Sequence, residues 1–416
     1  MSRTAGRRTT TRLTRARPRT YRLGHMRLAV LLLALALPAS AHARSYGGPG
    51  REAKLEPVAT HMADAVRDAW PGARIRIDAS LSQAASEIAA AMAGGLSLDE
   101  AARPETIRLA LARAGGVAPE IGPVLVRASE RDAALRRLRE RLRGEASQSA
   151  PGQVGVGAVE RAGTTSLVVL RAPERVALEP FPTQVEVGAR HRLAGRVLAP
   201  LRKGTFYVTG PGGTPTRLKA GTNGPRFSAQ VAFPKPGRYT VEVLADGPRG
   251  PEVAALLDVW AGQPIPTAPA AAAPAEREPA KVADKEKLAA RLVNDLRRGR
   301  GLREVQVDPA LARIARGNAE ELLRTGRFAH ESPISGSLAD RLEKGRYAYR
   351  AAGENLAQAA TVRQAHDSTV HSPGHLANLL GAQWTHAGFG IAHGTLPGGS
   401  PTVVLVEVFA TPGQGR

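Results

Sequence analysis

Six of the ten histidines fall between His330 and His393. Three short motifs lie in that window: Phe328-Ala329-His330, Gly353-Glu354-Asn355 and Ser372-Pro373-Gly374-His375. Two neutral imidazoles and one carboxylate can hold a divalent cation with coordination positions left open. The same three groups can instead form a general acid–base pair with a positioning carboxylate. A third reading is purely structural: Glu354 and Asn355 fix a loop by hydrogen bonds while the histidines pack. Spacings of 24 and 21 residues have no local geometric meaning, so only the tertiary fold can join His330, Glu354 and His375. The nearby serines, Ser332, Ser335 and Ser372, show no triad pattern, and Ser372 reads as a helix cap. His366, His371, His386 and His393 read as non-ligands. His371 and His375 are four apart, but Ser372-Pro373 breaks a helix between them.

The elements that must position these groups begin near Asp284. Leu288, Leu292, Val293 and Leu296 share one helical face. Asp308-Pro309 is an N-cap followed by proline at the first helical position, and Gly326 ends that helix. Ser337 opens a short helix that Gly345 stops. Thr361 with Gln364 reads as a capping box opening a helix through Val370, and Ser372-Pro373 opens another. Gly353-Glu354-Asn355 reads as a glycine-bounded loop. Ala387–Ile391 and Thr402–Ala410 read as two closing strands, giving an α+β class.

The remainder of the chain divides by composition. It has 416 residues, no cysteine and a formal charge of +21. Disulfides and thiolate metal sites are therefore excluded. Residues 1–43 hold nine arginines and no acid, so their removal lowers the charge to +12. Within them, Arg22, His25 and Arg27 precede the apolar run Leu28–Leu37, and Ala41-His42-Ala43 follows. That is the plan of a secretory signal peptide cleaved after Ala43, and Met26 is a second candidate start. No later stretch is long and apolar enough to span a bilayer. The basic balance suits an anionic surface partner such as lipid headgroups or cell-wall polymer, while the dispersal of the basic residues reads as a solvated arginine surface; no nucleic-acid partner is expected. Residues 55–172 read as helices followed by a hairpin, with Asp78 as a cap. Residues 173–262 switch to period-two runs between Pro/Gly turns, the pattern of a small antiparallel immunoglobulin-like sandwich. Residues 263–280 are rich in Ala and Pro and read as a linker; residues 281–411 form the last domain.

That last domain resembles a CAP (SCP-like) domain, the family of cysteine-rich secretory, antigen 5 and pathogenesis-related proteins, and is nearest its cysteine-free bacterial branch. The residues that carry the resemblance are Asn294, Arg297 and Gly301-Leu302, then Asp308-Pro309-Ala310-Leu311, Phe328-Ala329-His330, Gly353-Glu354-Asn355, Ser372-Pro373-Gly374-His375 with Asn378-Leu379-Leu380, and Gly388-Phe389-Gly390. The resemblance implies an α-β-α sandwich with a surface cleft. Two histidines and two acids line that cleft, which takes a divalent metal such as zinc. His330, Glu354 and His375 match three of those positions, and Asp367 is the nearest candidate for the fourth. Thr369 stands where a tryptophan is usual, and Leu376 where an arginine often follows the second histidine.

The first domain echoes the last. Asp78-Ala79-Ser80-Leu81 parallels Asp308-Pro309-Ala310-Leu311, and Gly155-Val156-Gly157 parallels Gly388-Phe389-Gly390. The expectation is either a degenerate CAP-like repeat without cleft residues or an unrelated helical domain. The leading functional expectation is an exported binding or interaction protein, periplasmic or secreted. Its cleft would hold a divalent metal or a small apolar or lipid ligand. A metal-dependent, peptidase-like hydrolase is the second reading, with His330, Glu354 and His375 as catalytic candidates. A cell-envelope structural protein is the third. Expected partners are a protein, a lipid or a cell-envelope polymer.

Overall fold

The computed structural model describes residues 45–48, 53–146, 150–269, 278–395 and 401–413. The basic lead, its cleavage site after Ala43 and part of the expected linker lie outside the described residues.

After β1 (Ser45–Tyr46) come α1 (Pro57–Ala69), β2 (Arg76–Ile77), α2 (Ala79–Ala93), α3 (Leu98–Ala101), α4 (Pro104–Ala114), β3 (Gly122–Ala128), α5 (Arg131–Glu145), β4 (Gln153–Arg161) and β5 (Thr164–Ala172). Asp78 caps α2, its Oδ1 accepting from the Leu81 amide at 2.9 Å. The helical pattern over Leu98–Gly115 is split into two helices because Pro104 can start a helix but not continue one. β3 was not anticipated. With it the sheet runs β2-β4-β5-β3. Alternate side chains of these strands feed two cores. Val124, Val126, Val156 and Val169 pack with α1 and α5, while Leu125, Val168 and Leu170 pack with α2 and α4.

The middle segment holds β6 (Val176–Leu178), β7 (Phe181–Pro182), β8 (Gln184–Val185), β9 (Arg190–Val197), β10 (Arg202–Thr209), β11 (Pro215–Leu218), β12 (Ala220–Asn223), β13 (Arg226–Ala232), β14 (Gly237–Gly247) and β15 (Gly250–Ala261). One sheet runs β11-β10-β14-β15-β8 and the other β12-β13-β9-β6. Phe206, Val241, Val243 and Leu257 from the first meet Leu193, Phe227 and Val231 from the second in one core. The first sheet is not wholly antiparallel, since β8 joins β15 in parallel.

The C-terminal segment comprises α6 (Val282–Arg298), β16 (Gln306–Val307), α7 (Pro309–Thr325), α8 (Leu338–Lys344), β17 (Tyr349–Ala359), α9 (Val362–His371), α10 (Pro373–Leu379), β18 (His386–Thr395) and β19 (Pro401–Pro412). Its sheet runs β16-β18-β19-β17, with β16 parallel to β18 and the other pairs antiparallel. Order and directions match those of β2-β4-β5-β3. Here too the strands feed two cores. Phe389, Ile391, Leu405 and Phe409 pack with α6, α9 and α10; Val404, Val406 and Val408 pack with α7 and α8. α7 lies directly on β18. A Cβ placed on Gly388 or Gly390 would fall 2.1 Å from the backbone carbons of Leu311 or Ala315, so only glycine admits this approach.

One expectation is corrected here. Gly353-Glu354-Asn355 is not a loop but the middle of β17, with Glu354 opposite Val408 and Asn355 opposite Glu407. Glu354 and Asn355 are both buried there, and they persist in the strand by finding partners, Glu354 on the neighbouring helices and Asn355 across the sheet.

Candidate functional site

His330 follows the C-terminus of α7, which Gly326 closes in the left-handed conformation. The segment after His330 is folded on itself by reciprocal amide bonds between Ser332 and Gly336. Arg341 on α8 then fastens it, donating to the Gly336 carbonyl at 2.7 Å and to Glu354 Oε1, also at 2.7 Å. Glu354 is 8% exposed and Arg341 6%, so the carboxylate meets its counter-charge away from water. Asn318, from α7, donates to the same Oε1 at 3.0 Å. The other oxygen, Oε2, is 3.0 Å from His330 Nδ1. Side chains from three segments thus converge on one carboxylate.

His375 stands in the first turn of α10. Ser372 caps that helix, its Oγ accepting from the His375 amide and lying 2.8 Å from His375 Nδ1. Burial, with the nearby His330 adding to it, pushes the His375 imidazole down to about 4. Asn355 ties this helix to the sheet: its Nδ2 donates to the His375 carbonyl at 3.2 Å and to Glu407 Oε2 at 3.0 Å. Asn378 closes the link by donating to Asn355 Oδ1 and to the Glu354 carbonyl. Glu407 on β19 is fully buried, its Oε1 has no hydrogen-bond partner among the described residues, and burial pushes its carboxyl up to about 7.

The fold therefore brings His330 and Glu354 into direct contact and places His375 beside them. It does not bring Asp367, which lies in the middle of α9 with Glu105, Arg363 and Arg108 as its charged neighbours. Within the C-terminal segment, Glu407 is the second buried acid of this network. As donors for a dication the three expected ligands fit poorly. Both oxygens of Glu354 are already engaged, and one carries a guanidinium that would repel a cation. Among the described residues no group of three or more His, Asp or Glu side chains converges as a metal site.

Residues 290–408 match the profile of the cysteine-rich secretory protein family, CAP. The C-terminal region is a CAP domain. Its curated relatives include two Bacillus subtilis proteins. One is the uncharacterized protein YkwD, 33% identical over 113 residues, 27% of this chain and 44% of that protein. The other is the uncharacterized membrane protein YlbC, 36% identical over 101 residues, 24% of this chain and 29% of that protein. The chain thus spans less than half the length of either relative. Similar solved structures include an outer surface protein of Borrelia burgdorferi at 17% identity and TM-score 0.30, covering 32% of this chain and 96% of that one. An extracellular protein containing an SCP domain from Bacillus anthracis matches at 20% identity and TM-score 0.28, covering 46% of this chain and 66% of that one.

Three residues of the CAP domain network escaped sequence reasoning: Asn318, Arg341 and Glu407. Asn318 and Arg341 look like ordinary polar positions on helices, and nothing in their spacing marks them. Glu407 did carry a signal. It is a lone acid inside the apolar run Val403–Phe409, where an unpartnered charge would be costly. Among the described residues no helix is long and apolar enough to cross a membrane.

Proposed function

We propose that this is an exported CAP-domain binding protein, delivered by a signal peptide cleaved after Ala43, whose C-terminal cleft holds a partner by hydrogen bonds from His330 and His375. The observation that carries this reading is the saturation of Glu354 by His330, Arg341 and Asn318. Such a carboxylate holds an imidazole in place; it is poorly disposed either to ligate a metal or to accept a substrate proton. Ser372 is 6% exposed and committed to capping α10, which disfavours it as a nucleophile. The +12 balance after residue 43 favours an anionic cell-envelope polymer over a neutral apolar ligand. The test is co-sedimentation of the chain from residue 44 with cell-wall material, with and without its anionic polymers. Retention lost in both His330→Ala and His375→Ala is expected; retention that ignores both substitutions refutes the reading. Titration with Zn²⁺ should give no one-site binding dependent on those histidines.

A hydrolase remains the second reading, because His330 is partly open to solvent and held at Nδ1 by a carboxylate, the arrangement of a general base. Turnover of a peptide library, abolished by Glu354→Gln, would establish it in place of the first.

We further propose that residues 55–172 are a degenerate CAP-like repeat. Support comes from the shared sheet order and from register. β2 and β16 lead into helices capped by Asp78 and Asp308, whose amides donate to Val154 and Ala387. Gly155 and Gly157 press on Leu81 and Ala85 as Gly388 and Gly390 press on Leu311 and Ala315. Following the pairings outward, Glu354, Asn355 and Glu407 correspond to Pro123, Val124 and Val169, and Asn318 to Ile88. Each of these four polar groups is replaced by an apolar one, as expected of a domain that keeps the scaffold and has given up the cleft. The middle sandwich, immunoglobulin-like in its strand pattern, joins the two. An experimental structure with different helix order in the two regions would sink the repeat.

A further inference from the structure

Along a strand at the surface of a sandwich, alternate side chains should face water. On β14, Val241 and Val243 point into the core between the sheets. The opposite face carries Arg238, Thr240, Glu242 and Leu244. Glu242 is nevertheless completely buried. What buries it is the CAP domain. Glu242 Oε1 accepts from Ser372 Oγ and Oε2 accepts from the Gly374 amide, both at 2.5 Å. A Cβ on Gly374 would meet the Glu242 carboxylate at 2.8 Å and Leu244 at 2.9 Å, so the two surfaces are in close contact.

The contact continues along the hairpin in both directions. Towards the start of β14, Arg238 lies 3.0 Å from His371 Nε2. Past the turn, the Arg249 carbonyl accepts from the Glu331 amide at 3.0 Å. Gly250 lies so near His330 that a Cβ there would be 3.0 Å from the histidine's own. One hairpin thus runs from His371, past Ser372 and Gly374, to His330, touching the segments that carry both cleft histidines. Its central carboxylate holds the hydroxyl that also contacts His375 Nδ1.

We propose that the β14–β15 hairpin is an intramolecular cover of the CAP cleft, seated by Glu242, and that a ligand gains full access to His330 and His375 only when the cover lifts. This rests on the reading of the cleft as a binding site. It adds that the site is regulated by the chain's own middle domain.

The test is histidine modification by diethyl pyrocarbonate, read by mass spectrometry on the chain from residue 44. His61 and His393, both exposed, serve as internal references. In the unsubstituted protein His375 should react much more slowly than either. Glu242→Arg replaces the acceptor of two donors with a cation and should raise the His375 rate about tenfold or more, the population change expected from losing a charge-assisted hydrogen bond. His330 should accelerate with it, while His61 and His393 stay constant and circular dichroism is retained. Should that variant fail to fold, Glu242→Gln is read in its place. It keeps the shape and loses the charge, and a rise in the His375 rate supports the cover. An unchanged rate in a folded variant overturns it, as does a native His375 that reacts as fast as His61. The reagent itself is the probe. A cleft that opens on substitution yet retains no cell-wall material would therefore refute the binding reading and leave the cover standing.

Discussion

Glu407 makes a sharp test of the network's electrostatics. It is fully buried on β19, one oxygen accepts from Asn355, and the other has no partner among the described residues. Burial pushes its carboxyl from an ordinary 4.5 up to about 7. The folded chain therefore holds this proton more tightly than the unfolded one. Between pH 4.5 and 7 the native state binds more protons, so its stability falls as pH rises, and the loss is complete above 7. At 1.36 kcal/mol per pH unit the full cost of ionising Glu407 in place is about 3 kcal/mol. Glu407→Gln keeps the shape and an acceptor for Asn355 but has no proton to lose. Guanidinium unfolding of both proteins, side by side at pH 4.5, 6, 7.5 and 9, should show near-equal stability at the lowest pH. The variant should then gain progressively, leading by about 3 kcal/mol at pH 9. His366, His371 and His375, each pushed down to about 4 chiefly by burial, act in the opposite sense. They cost stability as pH falls from 6.5 towards 4, in both proteins alike, and so cancel in the difference. A gap constant to within about 0.5 kcal/mol across the series would refute the placement of Glu407 as an underpartnered buried acid.

Two further substitutions probe the frame around it. Arg341→Met should strand the Glu354 carboxylate with its counter-charge removed, costing about 3–5 kcal/mol in unfolding free energy; a loss under about 1 kcal/mol would mean that the pair is not buried as described. Gly390→Ala should cost at least about 3 kcal/mol, because its methyl would enter the backbone of α7. Gly317→Ala, exposed on the same helix with nothing within 4 Å of the added carbon, should instead stabilise by up to about 1 kcal/mol. Calorimetric melting of the pair checks both signs at once.

Local chemistry was the legible part of this chain. Asp78, Asp308, Ser337, Thr361 and Ser372 were read as helix starts, and each accepts a backbone amide at the start of its helix. Gly326 and Gly345 close two of those helices as read. Strands interrupted by turn residues were the illegible part. β3 contains Pro123 and β17 contains Gly353-Glu354-Asn355, and both are held by cross-strand pairing that local pattern does not encode. In the site, His330, Glu354 and His375 were found by motif. The residues that engage Glu354, Arg341 and Asn318, come from other helices, and which of many surface-like polar residues turns inward is decided by packing. Asp367 was the nearest candidate for a second acid that had no clear match, and it lies in the middle of α9, beside Arg108 and Glu105 of α4.

The seam between α7 and β18 has one more consequence. It is written in very few letters: an aspartate cap, a leucine three residues on, an alanine four after that, and a Gly-x-Gly arriving from far downstream to receive the helix. Asp308, Leu311, Ala315, Gly388 and Gly390 spell it once, and Asp78, Leu81, Ala85, Gly155 and Gly157 spell it again. Glu354, Asn355, Glu407 and Asn318 face apolar residues at the same register in the first segment, so a search keyed to those polar groups would see only one of the two segments. A search keyed to where two backbones touch would find both. The grammar of close approach is thus a more durable address for this architecture than the vocabulary of its polar side chains.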